Sequence, residues 1–144
     1  MKAKEYLISI GELDRSINTK QKVLVGLERD KERLSAITYD SIRVQSSVHS
    51  DPTEIIDKID KLQREINFDI DRLVDLKAEA KKKISRVYNQ RFINLLTDVY
   101  INGMTIERFA ELWSKKQNRE MSVRTVQRWH GQALQIFRKE NHML

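Results

Sequence analysis

Four polar side chains near the end of the chain have the types and spacing for reading nucleic-acid bases. Arg124, Gln127, Arg128 and Gln132 fall three, four and eight residues apart, so a helix would carry them on one face. Arg can make paired hydrogen bonds to guanine and Gln to adenine. Thr125 lies at the edge of that face, and Ser122 stands where a helix cap is wanted. Base-reading residues usually come from the N-terminal part of a helix lying in the major groove, which is where Arg124, Gln127 and Arg128 would sit. Just upstream, Lys115, Lys116 and Arg119 are placed to reach the DNA backbone. The plainer reading of the same residues is the solvated face of a basic helix.

Other chemistry is poorly supplied. The chain has no Cys, which excludes disulfide scaffolds, thiol catalysis and Cys-based zinc sites and fits a reducing cytoplasm. His49 and His142 stand apart and make no metal site, and His130 has no partner in a catalytic arrangement, so a structural or phosphate-contacting role suits it better. There is no Gly-rich phosphate loop and no nucleophile motif. The many carboxylates read as helix surface charge. Neither an enzyme nor a cofactor is expected.

The basic face needs elements to hold it. Its own helix has an inward side of Val126, Trp129, Ala133 and Phe137, with Leu134 and Ile136 at the flanks. Thr105 caps a preceding helix with Ile106, Phe109, Ala110 and Trp113 at helical spacing, and Ala110 is small where two helices would approach closely. Trp113 and Trp129 read as core rather than as stacking platforms. Residues 114–121 separate the two helices. Either the first helix runs on by a turn, or an insertion carries Lys115, Lys116 and Arg119 to the backbone. A third helix, Tyr88 to Ile101, presents Phe92, Leu95, Leu96 and Val99 and ends at Asn102-Gly103, because Gly readily takes the left-handed cap conformation. Together these predict a helix-turn-helix.

Charge supports the same division. Residues 1–80 carry 14 Lys and Arg against 16 Asp and Glu, whereas residues 81–144 carry 13 against 5. A basic C-terminal half suits a polyanionic partner. Lys81-Lys82-Lys83 reads as helix surface, with phosphate contact as the alternative. No apolar run approaches the ~20 residues of a membrane span, and no signal peptide is evident; a cytoplasmic, nucleoid-associated protein of a bacterial cell is expected.

The first half predicts two long helices. Ile10, Ile17 and Leu24 share one heptad position and Leu13, Leu27 and Leu34 another, interrupted by Lys20 and Lys31. Gly26 costs about 1 kcal/mol relative to Ala. After a polar loop, 38–51, the sequence Asp51-Pro-Thr-Glu54 restarts a helix, with Asp51 capping and Pro52 at the first position. Ile59, Ile66, Leu73, Ala80 and Val87 then repeat by sevens, with Ile55, Leu62 and Leu76 between them and Ile56, Ile70 and Ile84 widening the stripe. The expected fold is all-α: a long antiparallel, coiled-coil-like hairpin over 1–87, then a three-helix module over 88–144. The width of the seam calls for a further helix or a second copy of the chain.

The residues Tyr100-Ile-Asn-Gly-Met-Thr-Ile-Glu-Arg-Phe-Ala110 and Ser122-Val-Arg-Thr-Val-Gln-Arg-Trp-His-Gly-Gln-Ala-Leu134 resemble those of small proteins of Gram-positive phages, prophages and integrative elements. In these a tyrosine-rich helix and two motif helices form a module similar to region 4 of bacterial sigma factors. Met1 to Leu7, Arg43 to Ser47 and Leu73 to Lys77 also look like that group. It is similar in style to the ArpU and RinA regulators of phage late genes. The resemblance implies transcriptional control, with activation of a late or packaging operon. Two features depart from the pattern: the longer turn before Ser122, and Arg108 where an acidic capping partner is usual.

The first expectation is therefore a sequence-specific transcriptional regulator, an activator, of a phage or other mobile element. It would bind double-stranded DNA as a homo-oligomer, with a dimer favoured, and use its hairpin for self-association or for contact with RNA polymerase. The alternatives are a coiled-coil adaptor or inhibitor of a host protein, and a small terminase-like DNA-packaging subunit.

Overall fold

In the computed structural model, which describes residues 2–40 and 52–144, the chain is all-helical. Helices α1 (Ala3–Asp40) and α2 (Pro52–Ser85) are long; α3 (Gln90–Leu96) runs directly into a π-helical segment, Thr97–Ile101, and α4 (Ile106–Gln117) and α5 (Val123–Glu140) follow. Pro52 opens α2, as its fixed φ and missing N–H favour. The capping role read for Asp51 and most of the 38–51 loop lie outside the described residues, and α1 extends to Asp40, three residues beyond the expected end.

Helices α1 and α2 form the expected hairpin. The chain divides into two compact units, Asp14–Arg72 and Met1–Leu13 with Leu73–Leu144. In the first, Ile17, Ile55, Ile59 and Ile66 are buried and Leu24, Leu27, Leu34 and Leu62 half-buried. Lys20 bonds Asp69 at 2.6 Å and lies 3.8 Å from Glu65. That bond holds the Lys20 ammonium above the ordinary lysine range.

The second unit holds the C-terminal helices together with the first turns of α1 and the last turns of α2. The 87/88 boundary expected from sequence falls inside it. Ala3, Tyr6, Leu7 and Ile10 are buried there, as are Ala80, Ile84 and Val87. Tyr6 stacks on Phe137 of α5 with ring centroids 6.4 Å apart. Its hydroxyl donates to Glu79 at 3.0 Å, while the Lys83 ammonium lies 4.2 Å over its ring and 2.8 Å from Glu79. One member of the Lys81-Lys82-Lys83 run is thus part of the packing.

Between α2 and α3 the chain turns at Tyr88, whose φ of 60° is unusual for a side chain with a Cβ. Asn89 then caps α3, its side-chain oxygen accepting from the N–H groups of Arg91 and Phe92. The expected start at Tyr88 is therefore two residues early. At the far end the Asn102 N–H reaches back five residues to Thr97, and Met104 to Asp98. Gly103, at φ 71°, makes the reversal possible where the sequence suggested it.

Candidate nucleic-acid interface

The final helices pack around Leu95, Phe109, Ala110 and Val126, with Val99, Met104, Ile106, Trp113, Met121, Val123 and Trp129 against them. Trp113 meets Trp129 edge to face, centroids 5.9 Å apart, and stacks on Phe109 at 5.8 Å. Both indoles belong to the core margin. Arg91 lays its guanidinium 4.1 Å above the Trp129 ring; its Nε is buried without a hydrogen-bond partner, so the ring face supplies the compensation.

The turn between α4 and α5 is short. Helix α4 runs on to Gln117, the first of the two arrangements the sequence allowed, and leaves only residues 118–121 before the cap at Ser122. Asn118 takes the left-handed conformation at φ 49°, and its N–H bonds Lys115 while that of Arg119 bonds Ser114. That pairing closes a helix end in the Schellman manner, with Asn in place of the usual Gly. Ser114 fastens the turn further: its hydroxyl donates to the Ala110 carbonyl at 2.8 Å and accepts the Met121 N–H at 2.9 Å. The apparent long turn is thus a helix end followed by four residues. Thr105 accepts from the Arg108 N–H without an acidic side chain in return; Arg108 instead pairs with Glu111 at 3.1 Å.

Ser122 caps α5, its Oγ accepting the Thr125 N–H at 3.2 Å and lying 2.8 Å from the Thr125 hydroxyl. Val126, Ala133 and Phe137 are fully buried. Turned the other way, Arg124, Gln127, Arg128 and Gln132 are all exposed, with Thr125 half-buried at the margin. Among the described residues neither Arg124 nor Arg128 is ion-paired. The face therefore presents cations and amides with no competing carboxylate bound to them. Lys115, Lys116 and Arg119 are exposed as well; Lys115 is held 3.5 Å from Glu111, whereas Lys116 borders a cleft of about 270 Å³ with Asn94, Asp98 and Leu112.

His130 lies on the inner margin of α5. Its Nε2 is 2.6 Å from the Tyr100 hydroxyl, and the two rings stack. Burial, and secondarily the nearby Lys4 charge, hold its imidazole below the ordinary 6.5; burial pushes the Tyr100 phenol up to about 12. A neutral His accepting a Tyr O–H is the arrangement these directions favour.

The chain matches no protein-family model, no curated protein and no solved structure. Among the described residues no helix is long and apolar enough to cross a membrane.

Three features of this region were not read from the sequence. They are the structural use of Ser114, the stacking of Arg91 on Trp129, and the packing of the first turn of α1 beside α5. Ser114 had a local signal, a hydroxyl in the last turn of a helix. The others depend on residues far apart in the chain.

Proposed function

We propose that the protein is a sequence-specific, DNA-binding transcriptional regulator, with α5 as the helix that enters the major groove. The observation that carries this reading is the division of α5: a buried side fixed on α3 and α4, and an opposite side of exposed Arg124, Gln127, Arg128 and Gln132 free of ion pairs among the described residues. A four-residue turn and a capped start hold that helix at a defined angle, as groove insertion requires. Arg124 and Arg128 supply base or phosphate contacts, the amides read adenine, and Lys116 and Arg119 touch the backbone.

Such a module makes few base contacts, each worth ~1–3 kcal/mol of discrimination. Useful specificity then requires a second copy or a polymerase partner, and the hairpin is the part available for either. Regulation of a mobile element's late genes in a bacterial cytoplasm, by activation, is the biological setting the family resemblance favours. The reading makes the protein a binder rather than a catalyst. Footprinting on DNA of the source element tests it: a protected site in the major groove, abolished in Arg124→Ala/Arg128→Ala, is expected, and uniform protection of all sequences would refute it.

A second reading has its own support. Val23, Val25 and Phe68 are each more than half exposed on the hairpin, which suits a protein-binding coiled coil. It predicts a complex with a host protein that survives removal of Arg124 and Arg128.

A further inference from the structure

The exposed stripe of α5 does not stop at the helix-turn-helix. At 100° per residue, Arg124, Arg128, Gly131, Gln135 and Arg138 fall within about 40° of one line along the helix, and all five are exposed. At its far end Gln135 and Arg138 border a cavity of about 290 Å³ that is lined also by Leu134, by Lys2, Ala3 and Lys4 at the start of α1, and by Leu144. Three cationic side chains from opposite ends of the sequence thus meet over one concavity, and no carboxylate side chain lines it.

Helix stability does not account for two of them. Arg138 suits the last turn of α5, where a cation faces the negative end of the helix dipole. Lys2 and Lys4 flank the positive end of α1, where a cation is unfavourable. The first N–H of α1 is already bonded to a main-chain oxygen of Leu144 at 2.9 Å, so that donor is not free for an anion. Among the described residues none of the three is ion-paired. Lys4 is also near enough to His130 to help keep that ring neutral.

We propose that Lys2, Lys4 and Arg138 form a second contact to the phosphate backbone of duplex DNA, outside the helix-turn-helix, so that the first turn of α1 belongs to the DNA-binding surface. This rests on the DNA-binding reading above and extends it. The site carries no base-reading geometry, so it adds affinity equally to every sequence.

The test compares the full chain with Lys2→Ala/Lys4→Ala/Arg138→Ala, measuring binding to the best-bound fragment and to a duplex of arbitrary sequence across a salt series. For every phosphate the variant no longer neutralises, the log–log salt slope should become shallower by about 0.9 and binding should weaken roughly tenfold near ~0.1 M salt. The weakening should be the same for both duplexes, with unchanged helicity, and Lys2→Arg/Lys4→Arg should bind like wild type. Wild-type slope and affinity in the triple variant would overturn this site while leaving α5 as the reader. Failure of the wild-type chain to bind either duplex would overturn both.

Discussion

Lys20 and Asp69, each standing where a seven-residue apolar repeat calls for an aliphatic side chain, meet across the hairpin with Nζ and Oδ2 2.6 Å apart. Lys20 falls in the series Leu13, Leu27, Leu34, and Asp69 in the series Ile55, Leu62, Leu76. Asp69 is only 7% exposed and is the one buried charged residue among those described. A pair of matched defects fixes register, because sliding either helix would bury one charge against an aliphatic neighbour.

The two defects should therefore be tolerable only together. Lys20→Met alone leaves the Asp69 carboxylate buried without its main partner, and should lower Tm by several degrees. Lys20→Met with Asp69→Leu should melt at or above the wild-type temperature. Thermal unfolding by circular dichroism checks this, and a double variant less stable than both single ones would show that the pair does more than offset itself.

Ser114 should matter for the angle of α5. Ser114→Ala removes a donor to Ala110 and the acceptor for the Met121 N–H, at a cost of about 1–2 kcal/mol. DNA affinity should fall even where the variant is fully folded. Denaturant unfolding and binding measured on the same sample separate the two effects, and normal affinity would mean the turn is held without this bond.

His130 gives the folded state a pH dependence with a defined sign. Its folded pKa lies below the usual 6.5, so the unfolded chain takes the proton first as pH falls. The stability that neutral His130 confers is complete above pH 6.5 and is lost as pH drops through 6.5 towards the lower folded value. The fall in Tm between about pH 7.5 and 5.5 should be smaller in His130→Gln than in wild type. Equal falls would show that the ring is not held neutral.

Gly131 sits in the middle of the α5 stripe with open space where a Cβ would be. No contact within the chain asks for glycine there, so Gly131→Ala should raise stability by about 1 kcal/mol. Gly131→Leu should also fold, yet its side chain would stand where DNA is expected to lie, and binding should weaken. A Leu variant that binds DNA as wild type does would place the DNA elsewhere.

Much of this was legible in the sequence because its signals are local. Thr105 and Ser122 cap helices within three residues, Gly103 supplies a positive φ, and the heptads of the hairpin are read from spacing alone. The end of α4 was ambiguous, since Asn118 can take the left-handed conformation but does not demand it as Gly does. The partnership of Lys20 with Asp69 was hidden because each alone is merely a flaw in a repeat. Tyr6 and Phe137, 131 positions apart in the numbering, could be paired only by the fold, and with them went the reading of α1's first turn as part of the C-terminal unit. The change from α to π geometry at Thr97 has no marker in residue type.

On the proposed function, the exposed face of α5 reads DNA sequence. This is tested most directly by the affinities of wild type and Arg124→Ala/Arg128→Ala for the best-bound fragment and for bulk duplex, over rising salt. Wild type should prefer its fragment by a ratio that persists as salt weakens both complexes, and the double variant should lose most of that ratio while keeping part of its general affinity. Equal binding of both duplexes by wild type, vanishing together with modest salt, would contradict it.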